Sequence, residues 1–216
     1  MQHGVAEGVQ MASGRGTKAQ VVKQKSRNVA KILDPRVEKT RTRIATAFVA
    51  LVTRRAYGRL RVSDIARKAG IGRATFYAHF GSKDALLRAE LQRIVLPMLI
   101  ELPEDPCLVD CTGLFAHVQH AQDIYRSLTS GTTRVVTERI IQDAIEGRIQ
   151  VILAARAARR VTSPRTSPGF VSRFVASTML ALIAWALERK NAPTPSEMQA
   201  TYRMLVGTAL EAVGTG

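Results

Sequence analysis

Hydrogen-bond donors cluster in one short stretch of the sequence. The stretch carries guanidinium, hydroxyl, imidazole and ammonium groups on Arg73, Thr75, Tyr77, His79 and Lys83. A guanidinium can bridge the O6 and N7 atoms of guanine with two hydrogen bonds, and a methyl group such as that of Ala74 suits the methyl group of thymine. The other donors can reach phosphate oxygens, which position a protein without reading sequence. The residue types therefore favour a polyanion with readable bases as the partner.

The same stretch has the spacing of a helix-turn-helix. A short helix is predicted over about 62–69, and Gly70 can adopt the left-handed conformation that ends a helix. A second helix is predicted over about 73–80, and Gly72 before it lets the backbone approach a partner closely. In this motif the second helix offers its N-terminal residues to the DNA major groove. The first side chains of that helix are then placed at base edges.

Periodic apolar residues predict helices on both sides of this motif. A first amphipathic helix starts at Pro35 and continues until Tyr57 and Gly58 interrupt the period, and Ser82 is placed to cap a fourth helix. Further helices are predicted at 83–101 with a bend at Pro97, 108–119, 121–129, 132–158, 169–190 and 195–213, and no alternating strand pattern appears. The prediction is an all-α fold of about nine helices.

The positive charge is concentrated at the N-terminal end. The chain of 216 residues has a net charge of +15; residues 1–90 hold 19 basic and 6 acidic residues, whereas residues 91–216 hold 13 and 11. We predict three parts: a flexible basic arm (1–34), a three-helix DNA-binding domain (35–82), and a helical domain for ligand binding and dimerisation (83–216). A further hypothesis is that residues 15–31 follow the adjacent minor groove or the DNA backbone.

The motif resembles the DNA-binding domain of the tetracycline-repressor (TetR/AcrR) family of transcriptional regulators. The resemblance covers about 37–87 and rests on the Ile-Ala and Ala-Gly-Ile of the first helix and turn, on the Thr-x-Tyr-x-His-Phe of the second helix, and on the Lys-x-x-Leu-Leu that follows. It implies a homodimer that binds a palindromic operator in double-stranded DNA and is released by a small-molecule effector. By this analogy Arg73, Ala74 and Tyr77 contact bases or flanking sugars, and Thr75, His79 and Lys83 contact phosphates.

One position departs from the family pattern. Members often have Ser or Thr where this chain has Arg61, and that residue caps the second helix and touches a phosphate. Two alternatives stay open here: Arg61 replaces the phosphate contact electrostatically, or Ser63 caps a helix that starts later.

The predicted C-terminal helices have wide apolar faces, which need a partner. We therefore expect a homodimer through the last two helices. Aromatic or soft side chains on helices that would surround a cavity make Phe115, Tyr125, Met179 and Trp185 candidate contacts of the effector. Trp185 is also a candidate for the dimer interface.

Other functions have weaker support in the sequence. Cys107, Cys111, His117 and His120 lie within fourteen residues, but their spacing is unlike that of structural zinc sites, so we predict no metal and no cofactor. No nucleophile elbow, phosphate loop or dinucleotide motif is found, so we predict no enzyme.

We find neither a signal peptide nor an apolar run long enough to span a membrane, and expect a cytoplasmic protein. Three alternatives remain: an activator or co-regulator of the same fold, an effector-free architectural DNA binder, and a small helical enzyme.

Overall fold

The computed structural model of the chain describes residues 35–159 and 166–212. These residues contain nine α-helices, so the predicted all-α fold is confirmed. The helices are α1 (Pro35–Val52), α2 (Val62–Lys68), α3 (Arg73–His79), α4 (Lys83–Glu90), α5 (Thr112–His120), α6 (Gln122–Leu128), α7 (Arg134–Arg159), α8 (Pro168–Glu188) and α9 (Pro195–Ala212). The predicted basic arm, including residues 15–31, lies outside the described residues.

The described part of the chain divides into two units within α1, between Thr42 and Arg43. In the second unit, the end of α1 packs with α2 and α3 around an apolar core. Ile44, Ile65 and Phe76 are each fully buried in it. Burying one such side chain contributes about 1.5–3 kcal/mol, so a few of them hold a small three-helix unit together. The predicted division of the chain into three domains stays a prediction.

The segment after α4 differs from the predicted helix over 83–101. The helix widens into a π-helical turn (Leu91–Val95) and a 3-10 turn (Leu96–Met98), because Pro97 has no N–H to donate to the preceding turn. The chain then forms two short antiparallel strands, β1 (Ile100–Glu101) and β2 (Val109–Asp110). The expectation of helix at residues 100–101 and 109–110 is therefore wrong.

The loop between these strands is fastened to α7. The buried guanidinium of Arg156 donates to the carbonyl oxygens of Leu102 and Asp105, and Arg159 pairs with Glu101 at 2.9 Å. These partners lie more than fifty residues from Arg156 along the chain, so local periodicity carries no sign of the hairpin.

The C-terminal helices form a second part of the core. α7 packs against α8, and α9 packs against α5 and α8. Among the described helices, α8 is the one with the length and composition to cross a membrane, with a mean hydropathy of 1.7. Length and composition alone are weak criteria, because the core helix of a globular domain also meets them, and 44% of the relevant window of α8 is buried inside the protein.

Candidate nucleic-acid interface

The turn between α2 and α3 has the tight geometry that the sequence predicts. The N–H of Ala69 donates to the carbonyl of Ile65 at 2.8 Å, and the N–H of Ile71 donates to that of Ala66 at 3.0 Å. Gly70 between them has φ +64°, a left-handed conformation that favours glycine. Ile71 packs on the core. The predicted helix-turn-helix is therefore present.

Arg43 on α1 holds this turn from outside the motif. Its Nη2 donates to the carbonyl oxygens of Ala69 at 2.6 Å and of Gly70 at 3.1 Å. A Cβ atom on Gly70 would lie 2.9 Å from the same nitrogen, so glycine is required by the contact as well as by its backbone conformation. Sequence reasoning missed this role, because nothing distinguishes Arg43 from the other arginines of α1.

The predicted contact residues of α3 lie on its exposed face. Gly72 precedes the helix in an extended conformation, and the side chains of Arg73, Ala74, Thr75 and Tyr77 are exposed, whereas His79 is half-buried. Phe76 and Phe80 face the core, as expected, with ring centroids 6.0 Å apart. The structure therefore presents a row of donors with a guanidinium at its N-terminal end. Their contacts with DNA stay a prediction.

Lys83 at the start of α4 has partners within the protein. Its Nζ donates to the carbonyl oxygens of Tyr57 at 3.0 Å and Leu60 at 3.1 Å, and lies 4.4 Å from the centroid of the Tyr57 ring. Burial lowers the pKa of Lys83, against the opposing effect of Asp84. An ammonium group has three N–H donors, so two are used by these carbonyls. The predicted phosphate contact would add to this structural role.

Tyr57 and Ser82 fix the same corner of the molecule. The buried Tyr57 hydroxyl donates to the carboxylate of Asp84, and burial together with this hydrogen bond raises the pKa of Tyr57. The hydroxyl of Ser82 accepts from the N–H of Ala85 at 3.0 Å, which confirms it as the predicted N-cap of α4. Sequence reasoning used Tyr57 only as the end of a helix.

Arg61 occupies the N-cap position of α2. The helix starts at Val62, and the carboxylate of Asp64 accepts from the N–H of Arg61 at 3.2 Å. Ser63 is the second residue of the helix and is exposed, so the alternative in which it caps a later start is wrong. The side chain of Arg61 is exposed, which leaves its predicted phosphate contact possible.

The four predicted effector contacts do not share one environment. Phe115 and Met179 are fully buried, and Tyr125 is nearly so, with its ring 5.9 Å from that of His117. Trp185 is 43% exposed and has the guanidinium of Arg189 at 4.7 Å from its ring centroid. An open hollow of about 340 Å³ lies elsewhere, lined by Gln119, His120, Gln122 and Ala192. Effector binding by the predicted residues stays a prediction.

The two cysteines are buried thiols. Burial, followed by the neighbouring carboxylate of Asp105, raises the pKa of Cys107 to about 12, and burial raises that of Cys111 as well. A raised pKa disfavours the thiolate that metals and oxidants require. Within 35–159 and 166–212 we find no group of three or more His, Cys, Asp or Glu residues that could hold a metal ion.

Comparison with known proteins agrees with this geometry. Residues 44–89 match the family model described as bacterial regulatory proteins, tetR family. The uncharacterized HTH-type transcriptional regulator YxbF of Bacillus subtilis (strain 168) is 41% identical over 68 residues, which is 31% of this chain. The match spans 18% of that relative's own length.

Solved structures resemble most of the chain in fold. A TetR transcriptional regulator from Streptococcus agalactiae 2603V has a TM-score of 0.53 at 22% identity, covering 82% of this chain and 99% of that one. A tetR-family transcriptional regulator from Streptomyces coelicolor has a TM-score of 0.52 at 23% identity, covering 82% of each chain. The dihydroxyacetone kinase operon activator DhaS has a TM-score of 0.53 at 19% identity, covering 81% of this chain and 98% of that one.

The motif, its geometry and these comparisons point the same way. The family model covers α2, the turn and α3, where the exposed donors lie, and the solved structures share the arrangement of helices. Residues 44–89 are therefore similar to the tetR family of bacterial regulatory proteins, and the described chain resembles these regulators in fold.

Proposed function

We propose that the protein is a homodimeric, cytoplasmic repressor that binds a palindromic operator and is released by a small-molecule effector. The observation that carries the DNA-binding part is the exposed face of α3, where Arg73 leads a row of donors above the buried Phe76. In this proposal Arg73, Ala74 and Tyr77 contact bases or flanking sugars. Thr75, His79, Lys83 and Arg61 contact phosphates, which supply affinity, while base contacts supply sequence preference.

Selection from a random duplex library tests this proposal. A homodimer places two recognition helices in successive major grooves, so the enriched sequences should contain inverted half-sites about 10 base pairs apart, which is roughly 34 Å. Binding without any enriched sequence would favour the architectural DNA binder instead. Absence of DNA binding at low salt would rule out both.

The exposed apolar residues of α8 and α9 support the proposed dimer. Phe170 is 64% exposed and Met204 is 63% exposed, and Trp185 and Leu205 are exposed as well. Large exposed apolar groups on adjacent helices are typical of an interaction surface. We expect the Met204→Glu variant, measured by light scattering after gel filtration, to be monomeric. Val151→Glu, at an exposed apolar residue of α7, is the matched control and should leave the dimer intact.

Release by an effector requires two states with different distances between the recognition helices. A ligand shifts the population only by its difference in affinity for the two states, so a 100-fold preference changes operator affinity by up to about 100-fold. A thermal-shift screen identifies ligands, and a positive compound should weaken operator binding.

An activator is the second candidate, because DhaS, a neighbour of this fold, is described as an operon activator. A reporter gene under the selected operator separates the two by the sign of its response.

A further inference from the structure

We propose that the turn joining α1 to α2, residues 53–61, is a second DNA contact that binds phosphates flanking the half-site. We call this segment the basic turn. The inference rests on the proposed DNA-binding function and extends the contact surface beyond α3. Its new members are Arg54, Arg55 and Arg59, which lie next to Arg61.

The charge of the basic turn has no ion-pair counterpart among the residues that the structure describes. From Arg43 to Arg61 the sequence contains five arginines and no acidic residue. The side chains of Arg54, Arg55, Arg59 and Arg61 are all exposed. No ion pair to any of these four is found within 35–159 and 166–212. Four exposed like charges within eight residues repel one another, and a polyanion relieves this repulsion.

The backbone of the basic turn is fixed to the start of α4. Its residues Tyr57 and Leu60 are buried, and their carbonyl oxygens both accept from the Nζ of Lys83. The Tyr57 hydroxyl also bonds to the carboxylate of Asp84. The inward-facing residues therefore alternate with arginines that point outward, at 59 and 61.

This anchoring places the basic turn beside the helix-turn-helix. α3 ends at His79, four residues before Lys83, and α2 starts immediately after Arg61. The turn therefore runs directly into α2 and is hydrogen-bonded to the first residues of α4, the helix that follows α3. When α3 lies in the major groove, the part of the duplex next to the basic turn is the phosphate backbone at the edge of that groove.

The opposite side of the basic turn is held by the C-terminal part of the chain. The hydroxyl of Ser127 donates to the carbonyl of Arg55 at 2.8 Å, and Gly58 lies so close to Thr133 that a Cβ atom would be 2.9 Å from its hydroxyl oxygen. A backbone fixed on both sides loses little entropy when its side chains bind, which favours a stable contact. Phosphate is the chemistry that matches, because arginine binds it with two hydrogen bonds and no base is required.

The salt dependence of operator binding tests the inference. Each phosphate contact contributes about 0.9 to the slope of log affinity against log salt, and a dimer makes each contact twice. We expect the variant with Arg54→Gln, Arg55→Gln and Arg59→Gln to lower the slope by about 2 for every arginine that meets a phosphate. Its affinity for operator and random DNA should fall alike, so that the ratio between them is unchanged.

Two further proteins keep this test decisive. The matched control carries Arg139→Gln, Arg148→Gln and Lys190→Gln, which removes the same charge from the C-terminal part and should leave the slope unchanged. The corresponding triple lysine variant of the basic turn keeps the charge and should retain the wild-type slope. Thermal unfolding checks that each variant is folded.

Each outcome separates the inference from the proposed function. If the glutamine variant of the basic turn keeps the wild-type slope while the wild type selects an operator, the inference is wrong and the function stands. If the control lowers the slope equally, net charge rather than the basic turn is responsible, and the inference is also wrong. If the wild type selects no DNA sequence, the proposed function itself fails.

Discussion

The arginines of the N-terminal and C-terminal regions are used differently. After residue 91, six arginines form ion pairs with carboxylates: Arg93 with Glu90, Arg134 with Glu138, Arg139 with Asp143, Arg159 with Glu101, Arg173 with Glu146, and Arg203 with Asp105. In the basic turn, four exposed arginines have none within the described part of the chain. Charge therefore supports the fold in one region and is left for a partner in the other.

The net charge of a region nevertheless overestimates the surface that DNA can use. Arg43 donates to the carbonyls of the helix-turn-helix turn, and Lys83 donates to two carbonyls of the basic turn. Both cations belong to the positively charged residues 1–90, yet both hold the backbone of that region in place. A cation is available to DNA when its donors are unused and exposed, and Arg73 and the basic turn meet this condition more fully than Lys83 does.

The largest expected effect is on a cation of the C-terminal region. Arg156 is 6% exposed and donates to the carbonyls of Leu102 and Asp105, so Arg156→Met removes two charge-assisted hydrogen bonds and leaves each oxygen with only its backbone N–H donor. We expect the free energy of unfolding in urea to fall by about 3 kcal/mol. The matched variant Arg159→Met removes an exposed ion pair to Glu101 and should cost less than about 1 kcal/mol. Equal losses of unfolding free energy in Arg156→Met and Arg159→Met would show that the difference in burial between the two arginines does not determine their contribution to stability.

The next effect concerns an exposed cation of α3. Arg73→Ala should relax base preference at one position of each half-site by about 1–3 kcal/mol. The free energy of unfolding should change by less than about 0.5 kcal/mol, because the side chain is exposed. Binding to a panel of single-base operator variants measures the preference. Thr75→Ala is the comparison and should weaken all sequences alike; the same uniform loss for Arg73→Ala would contradict its role at a base edge.

A smaller effect is expected where the two regions meet. Gly58→Ala would bring a methyl group within 2.9–3.0 Å of the Thr133 side chain, which must shift at a cost of about 1–2 kcal/mol in unfolding free energy. Thr133→Ala removes the obstructing atoms and a buried hydroxyl that has no hydrogen-bond partner among the described residues. The double variant should therefore recover most of the loss. Additive losses in urea unfolding would mean that the contact is not the cause.

Local sequence signals predicted most of the helices and the exposed face of α3. Gly70 marked the turn, Ser82 marked the cap of α4, and the apolar spacing placed Phe76 inside. These features depend on residues within a few positions of one another, which is the range over which periodicity and capping act. The same short range explains why the helix-turn-helix was the most readable part of the chain.

Long-range contacts could not be predicted in the same way. Arg43, Lys83 and Arg156 all donate to backbone carbonyls, and a carbonyl has no residue type that a sequence pattern could match. The two strands of the hairpin, at residues 100–101 and 109–110, therefore lie where the local pattern predicts helix. Trp185 shows a related difficulty: α8 is apolar on several faces, so its period did not distinguish the buried face from the exposed one.

The smallest expected effect is an acid sensitivity of the C-terminal region. Burial, and to a lesser extent the nearby His120, lowers the pKa of His117. Both folded and unfolded chains are neutral at this residue at pH 7.5, but the unfolded chain binds a proton first as the pH falls through the ordinary value of about 6.5. The free energy of unfolding should therefore decrease between pH 7.5 and pH 5.5. Asp105 stays ionised there, because the hydrogen bonds from Cys107 and the charges of Arg203 and Arg156 outweigh its burial and lower its pKa. Urea unfolding at both pH values measures this decrease in unfolding free energy. The decrease should be smaller in His117→Gln, whereas His120→Gln, at an exposed residue, should retain most of it. An unchanged decrease in His117→Gln would mean that another residue causes the acid sensitivity.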